Sequence, residues 1–224
     1  GACGVLAKED AAAIRRGLES ILEEGRRDPS FIAGEDEDIH SFVERKLIER
    51  IGDAGRRLHT GRSRNEQVSL DLRLYLRRRI PILQEALVQL ITAFADQAET
   101  AAEALMPSYT HLRRAQPVLV AHFLLAHASA LRRDFEKLET ARVEADALPL
   151  GSGAVAGTGY PIDTALLARR LGFSRVVRNS IDASSDRDFV ASFLFAVSVA
   201  MVHLSRVAED FIIFTGEEYG LFEL

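Results

Sequence analysis

The sequence predicts an all-α protein built as a bundle of long helices. Residues 38–51, 76–94 and 117–146 carry apolar side chains three and four positions apart, the spacing that places them on one face of a helix. Residues 186–215 repeat that spacing with a larger apolar share. Strands would need a series of alternating apolar and polar residues, and only residues 175–180 could form a short extended segment.

Glycines mark the ends of the first two predicted helices. Residues 9–24 alternate Ala, Ile and Leu with Arg and Glu as far as Gly25, and residues 38–51 keep one apolar face as far as Gly52. Glycine suits the position after a helix because it adopts a left-handed conformation without a steric cost. The acidic residues 35–38 are expected to favour the positive end of the second helix rather than to bind a metal.

Two long helices follow, and each carries a proline. The first has a seam of apolar residues from Leu76 to Phe94 and contains Pro81, so we expect a kink or a restart there. The second is predicted from Pro117 to Asp146 with the same spacing. Proline suits the first helical position because the N–H that it lacks would have no partner there.

The last predicted helix, within residues 186–215, is apolar on two sides. Two apolar faces need packing partners on both sides, which favours a central helix in a bundle built from several subunits. The alternative is a single-chain bundle with a thick core. The nearly apolar run Phe189–Val202 has 14 residues, whereas a membrane span needs roughly 20, so no membrane partner is expected.

Composition indicates a folded protein from a reducing compartment. The chain has 224 residues, of which 47% are hydrophobic, and its net charge of −5 argues against nucleic-acid binding. Cys3 is the single cysteine, which excludes an intrachain disulfide. Residues 1–14 lack the features of a secretory signal, so a cytoplasmic location is expected.

A basic segment precedes the third predicted helix. Residues 61–65 read Gly-Arg-Ser-Arg-Asn. Two guanidiniums, a hydroxyl, a carboxamide and the free N–H groups of a helix start could converge there on a carboxylate. The alternative is a solvated basic loop.

A glycine-rich segment covers residues 151–159. It matches part of a dinucleotide fingerprint, but Pro149 and a helical pattern precede it where a strand would be needed. We expect a loop that packs closely or approaches a ligand closely.

A second polar segment covers residues 109–117 and is expected to be a loop that leads into a helix. It contains His111, with Thr110 beside it as a hydroxyl partner. Histidine titrates near neutral pH, so His111 could move a proton or hydrogen-bond a reacting group. The alternative is an ordinary surface histidine.

Taken together, these segments resemble the argininosuccinate lyase family of the fumarase/aspartase superfamily. The matching segments occur in family order and cover most of the chain from about residue 36 onward: Asp36–His40, Leu58–Asn65, Tyr109–Leu112, Ala115–Pro117, Leu148–Ala154 and Asp186–Phe189.

The resemblance implies a reversible anti β-elimination that converts argininosuccinate to L-arginine and fumarate, as part of arginine biosynthesis. It implies no cofactor and no metal. It also implies a homotetramer whose active sites are shared between subunits, with neither nucleic acid nor a membrane as a partner. By the same resemblance, residues 1–61 are part of an N-terminal helical domain and residues 62–224 part of a central helical bundle.

Site residues are carried over by position. His111 resembles the active-site histidine of the family, which is assigned to proton transfer or to its support, and Thr110 is the second catalytic candidate. The residues expected to contact substrate are Asn65, Ser63, Arg64, Thr110, Asp38 and His40.

The chain departs from the family pattern in three places. Glu66 follows Asn65 where the family usually has Asp, and Arg113 stands where it usually has Gln. The signature loop Gly-Ser-Ser-x-Met-Pro-x-Lys-x-Asn-Pro, which supplies the serine thought to remove the β-proton, does not occur in residues 1–224. The sequence is therefore expected to be an internal fragment that is inactive alone.

Two alternatives to this function remain open at this stage. One is another fumarate-releasing lyase of the superfamily. The other is a non-enzymatic homologue in a structural role, like the lens crystallins that the family resembles.

Overall fold

The computed structural model describes residues 3–223 and confirms the all-α class. Its helices are α1 (Lys8–Arg27), α2 (Ile39–Ile51), α3 (Asp53–Arg56), α4 (Arg64–Ala101), α5 (Val120–Ala145), α6 (Thr164–Leu171), α7 (Ser180–Ser185) and α8 (Asp188–Thr215). Its short strands are β1 (Leu105–Thr110), β2 (Arg113–Leu119), β3 (Ala147–Leu148) and β4 (Arg175–Val176).

The chain divides into two compact units. The first unit takes in the chain up to Leu70 together with Leu148–Ser185, and the second takes in Asp71–Ala147 together with the chain from Asp186 onward. These two units are defined by contacts within this chain and not by the domains of the family. The domain boundary predicted after residue 61 therefore stays a prediction.

In the first unit, α1 and α2 pack through a small apolar core that contains Ile14, Ile21 and Leu47. The α1 backbone approaches closely at Gly17, where an added Cβ would lie 2.4 Å from the Leu47 side chain. The expected end of α2 at Gly52 is confirmed, since this glycine follows Ile51 with φ of 61°.

In the second unit, the predicted apolar seams of α4, α5 and α8 form one core. Ile80, Leu131 and Phe189 are each fully buried in it. The helix containing Pro81 is continuous, so the expected restart does not occur. Burial of neighbouring Ile80 supports the helix despite the hydrogen bond that proline removes.

The polar segment at residues 109–117 was wrongly predicted as a loop, because β1 and β2 form an antiparallel hairpin there. His111 and Leu112 have φ of 53° and 58°, as the central residues of a two-residue turn require. Pro117 consequently lies in β2, opposite Pro107, and the following helix begins at Val120. Without the Asn-Gly or Asp-Gly pair typical of such turns, the sequence carries only a weak hairpin signal.

Only part of the apolar surface of α8 is buried. Phe189 and Ala196 are 0% exposed, whereas Leu194, Phe195 and Met201 are 58%, 61% and 59% exposed. Among the helices of residues 3–223, α8 is the one long and apolar enough to cross a membrane by length and composition. Within the described residues, one apolar face of α8 is thus packed and another is open, and the choice between a multi-subunit and a single-chain bundle stays a prediction.

Candidate active site

The start of α4 forms a capping box. The N–H of Ser63 donates to Oε1 of Glu66 at 3.0 Å, and the N–H of Asn65 donates to the Ser63 hydroxyl at 3.3 Å. This Ser-x-x-Glu arrangement satisfies helix-start donors that would otherwise lack partners. The Asn65 side-chain carboxamide is exposed and makes no hydrogen bond within residues 3–223, so it is available to a ligand.

Asp38 and Arg64 lie side by side in the first unit. Asp38 is the N-cap of α2 and accepts a hydrogen bond from the Ser41 N–H at 2.7 Å. The Arg64 Nε lies 3.6 Å from the other Asp38 oxygen. Hydrogen bonds from Ser41 lower the pKa of Asp38, and the positive charges of Arg64 and His40 lower it further. Asp38, His40 and Arg64 therefore form one electrostatic group.

Glu44 joins this group from the next turn of α2. Its Oε2 lies 3.6 Å from Arg64 Nη2 and 2.7 Å from His59 Nε2. Arg64 also donates to the Gln67 side chain at 3.3 Å. Neither Glu44 nor His59 was singled out from the sequence, where both residues fit an ordinary surface pattern.

The basic groups of the segment 61–65 are paired within the chain. The Arg64 guanidinium faces the carboxylates of Asp38 and Glu44, and Arg62 donates to the carbonyl of Leu58. The Ser63 N–H is already taken by Glu66. The roles of Ser63 and Arg64 as substrate contacts stay predictions, and Asn65 is the member of the segment whose side chain is open to a ligand.

Glu66 is a third residue whose role was not predicted from the sequence. Its carboxylate is fully buried, and Oε2 accepts hydrogen bonds from the N–H groups of Gly151 and Gly153 at 2.8 and 3.0 Å. The Ser152 hydroxyl lies 3.4 Å from the same oxygen. A usable signal was present, because Ser63-x-x-Glu66 is the sequence pattern of a capping box.

Thr110 and His111 lie in the second unit at the turn of the hairpin, and both are exposed. The φ of 53° at His111 and of 58° at Leu112 are uncommon for residues other than glycine, and such strain concentrates at functional sites. Tyr109 anchors the hairpin, since its ring centroid lies 5.5 Å from that of Phe214 and 5.2 Å from that of Tyr219.

Beside this turn lies a cavity of about 540 Å³, lined in part by His111, His122, Arg206, Asp210 and Tyr219. These side chains supply both donors and acceptors of hydrogen bonds. The structure thus gathers Asp38, His40, Arg64 and Asn65 in the first unit and Thr110 and His111 in the second. That the two groups form one site stays a prediction.

The matching segment Asp186–Phe189 has a structural role at the start of α8. Asp186 accepts a hydrogen bond from the N–H of Asp188 at 2.8 Å and pairs with the buried Arg73 at 2.5 Å. The Arg73 guanidinium stacks over Phe189 at 4.2 Å from the ring centroid. The motif therefore fixes where α8 begins and how α4 contacts it.

Comparison with solved structures shows the fold class of this chain. Two solved structures that are 30% identical to this chain are an EDDS lyase in complex with formate and an EDDS lyase variant with bound fumarate, with TM-scores of 0.89 and 0.87. The alignment with the formate complex covers 99% of this chain and 43% of the EDDS lyase chain. The alignment with the fumarate-bound variant covers 96% of this chain and 42% of the variant's chain. The architecture is the long-helix bundle of the fumarase/aspartase superfamily.

A family model described as "Lyase" matches residues 2–224, and the chain belongs to that family. It is 48% identical to an argininosuccinate lyase of Synechococcus sp. (strain JA-3-3Ab) over 100% of this chain and 46% of the relative. It is also 48% identical to the argininosuccinate lyase of Caldanaerobacter subterraneus subsp. tengcongensis, over 99% of this chain and 50% of the relative. The chain therefore spans about half the length of these curated relatives.

Proposed function

We propose that a full-length enzyme, meaning a protein of the relatives' length that contains this chain, cleaves argininosuccinate to L-arginine and fumarate. The observation that carries the proposal is identity of 48% to argininosuccinate lyases along the whole chain. A second support is the structural similarity to a lyase variant with bound fumarate. We also propose that the protein serves arginine biosynthesis and that it acts in the cytoplasm.

The chemistry is a β-elimination that breaks a carbon–nitrogen bond of the succinyl group. A base removes the proton next to a carboxylate, and the amine leaves from the neighbouring carbon as the double bond of fumarate forms. Negative charge develops on that carboxylate in the transition state. Fixed hydrogen-bond donors directed at it provide the largest stabilising contribution.

Asn65 is proposed as one of these donors. Its carboxamide is open to a ligand, while the capping box on both sides of it fixes the backbone that carries it. Such preorganisation favours catalysis, because the donor needs no rearrangement as charge develops. Asp38, His40, Ser63 and Arg64 are proposed to border the same site, where Asp38 holds the Arg64 guanidinium.

Thr110 and His111 are proposed as the catalytic pair of the hairpin. The Thr110 hydroxyl can donate to a substrate oxygen, and His111 can transfer a proton or hydrogen-bond the group that does. Their exposure at a strained turn suits residues that meet a substrate. The same exposure would let them reach a site completed by another subunit.

We propose a homotetramer in which active sites are shared between subunits. The open apolar face of α8, with Leu194, Phe195 and Met201 each more than half exposed, is the observation that supports it. Large exposed apolar surfaces in a protein of this class mark association sites.

Turnover of argininosuccinate by a purified full-length enzyme tests the function. Fumarate would be followed by its ultraviolet absorbance and arginine by mass spectrometry, in equal amounts. The Asn65→Ala variant separates this activity from a contaminating lyase, because it should remove most of the turnover, while Gln89→Ala on the exposed part of α4 should not. The function is wrong if fumarate and arginine do not form.

The second candidate function is that of another fumarate-releasing lyase of the superfamily. A panel of other amine-linked succinates tests it. The similarity to EDDS lyase at 30% identity is the observation that favours a different amine. Identity to the argininosuccinate lyases is higher, so we expect kcat/KM to be largest for argininosuccinate. A larger value for another substrate would replace argininosuccinate and keep the lyase class.

A further inference from the structure

Glu66 connects two segments that lie far apart in the sequence. One carboxylate oxygen accepts the Ser63 N–H at 3.0 Å, and the other accepts the N–H groups of Gly151 and Gly153 at 2.8 and 3.0 Å. All of these residues belong to the first unit, and the Glu66 side chain is 0% exposed. A single buried group thus holds the start of α4 against the glycine-rich loop.

The donors around Glu66 require an acceptor on both oxygens. A carboxylate is an acceptor at each oxygen, and hydrogen bonds from N–H groups to a charged acceptor are stronger than neutral ones. Glutamine in this place would direct an NH₂ group at an N–H donor. The arrangement therefore selects a carboxylate by charge as well as by shape.

The glycine loop is shaped to present these donors. Gly151 and Gly153 have φ of 105° and 60°, and added Cβ atoms would lie 2.5 Å from the Thr164 side chain and 2.5 Å from the carbonyl oxygen of Gly157. Successive N–H groups in such turns form a concave anion site. Here the chain's own Glu66 fills that concavity, which explains the glycines without an external ligand.

The position of Glu66 beside Asn65 gives this contact a functional meaning. Asn65 lies between Ser63, which accepts its N–H, and Glu66, which accepts the Ser63 N–H. We propose that Glu66 is a positioning residue that fixes the Asn65 backbone, and with it the carboxamide directed at the substrate. This inference rests on the proposed function of Asn65.

The Glu66→Gln substitution in a full-length enzyme tests the proposal. We expect kcat for argininosuccinate to fall about 10- to 100-fold with a smaller change in KM, the size of loss that a misplaced catalytic geometry produces. Glu66→Asp keeps the carboxylate and should recover most of that loss. Glu99→Gln, an exposed glutamate later on α4, is the matched control and should change kcat less than about twofold.

A double-variant comparison separates positioning from general destabilisation. If Glu66 acts through Asn65, Glu66→Gln should cost little further activity in an Asn65→Ala background, because contacting residues are non-additive. A full 10- to 100-fold loss in that background, or an Asp variant no better than the Gln variant, would overturn the proposal.

Hydrogen exchange tests the same contact without any turnover. In Glu66→Gln, amides of residues 63–66 and 151–153 should exchange at least about tenfold faster, and together, because one carboxylate protects both. Unchanged exchange in both segments would overturn the positioning role whatever the substrate. An unmodified enzyme that leaves argininosuccinate intact, with exchange changed as expected, would instead overturn the proposed function.

Discussion

His111 combines exposure, a titratable ring and a strained backbone at one position. Its φ of 53° puts it in the left-handed region, where a side chain is held only if the surrounding hairpin determines it. The hairpin does so through Tyr109, which packs against Phe214 and Tyr219. The imidazole is therefore presented at a fixed place and remains free to meet a substrate.

The first prediction concerns the His111 imidazole. His111→Ala in a full-length enzyme should lower kcat by about 10²–10⁴-fold, the usual contribution of a positioned proton-transfer group. Gln89→Ala, at an exposed position of α4 that does not line this cavity, is the control. Fumarate release by His111→Ala at a rate close to that of the control would remove His111 from the mechanism.

The sequence predicts polar residues for the site, but it does not predict the partners that the fold gives them. Asp38, His40, Asn65 and His111 follow from motifs with family precedent, and the structure places the first three in one unit. Glu44 and His59 could not be found in that way, since their pairing arises from the fold. The contact of Glu66 with Ser63 could have been predicted from the sequence, because a capping box is a local sequence pattern.

The contact between α5 and α8 depends on a buried hydrogen bond as well as on apolar packing. Asp134 of α5 is 0% exposed, and its Oδ2 lies 2.6 Å from Nδ1 of His203 on α8. Lys137 lies 3.5 Å from the other oxygen. Such a hydrogen bond adds modest net stability, but removing one partner leaves the other buried without compensation.

The second prediction follows from this hydrogen bond. Asp134→Ala should destabilise the protein by about 1–3 kcal/mol, because the largely buried His203 ring would lose its hydrogen-bond partner. Glu136→Ala, two residues away on the same helix, should cost less than about 0.5 kcal/mol, because its pair with Arg132 is exposed. Urea unfolding followed by circular dichroism measures both, and equal midpoints for the two variants would contradict this account.

The third prediction concerns His127, also on α5. Its ring packs against Phe123 and Phe94 at 4.9 and 5.7 Å. Burial lowers the pKa of His127, an effect that Asp210 opposes and Arg206 reinforces. The unfolded chain therefore binds a proton at a higher pH than the folded chain, so the stability contribution is present above the ordinary pKa of about 6.5 and is lost as pH falls below it.

Thermal unfolding between pH 7.5 and 5.5 measures this effect. The melting temperature of the unmodified protein should fall more steeply toward low pH than that of His127→Gln, which has no group to titrate. His122→Gln, at an exposed position of the same helix, should keep the steeper slope. Parallel curves for the unmodified protein and His127→Gln would show that His127 does not set the slope.

Helices were easier to predict from the sequence than the hairpin. The apolar spacing of α4, α5 and α8 repeats over many turns, so local errors average out. The hairpin depends on two positive φ values at His111 and Leu112, and positive φ is uncommon for residues other than glycine. Pro117 added to the error, because it suits a helix start as well as the strand position that it occupies.

At the scale of the whole molecule, the proposed homotetramer concerns the open face of α8 and the division of the proposed site residues between two units. Leu194, Phe195 and Met201 are each more than half exposed on α8, and contiguous exposed apolar surface often marks an interaction site. Asn65 and His111 belong to different units of the chain. Association of subunits through α8 would cover the apolar face and could combine these residues from different copies.

Hybrid assemblies of two inactive variants test this central claim most directly. Full-length Asn65→Ala and His111→Ala subunits would be unfolded together, refolded as a one-to-one mixture and assayed for fumarate release. If each site takes Asn65 and His111 from different subunits, random mixing restores about one quarter of the sites. If both residues come from one subunit, every site keeps a defect. We predict recovery toward one quarter of the unmodified activity, and no recovery in mixtures shown by mass spectrometry to contain hybrids would contradict the account.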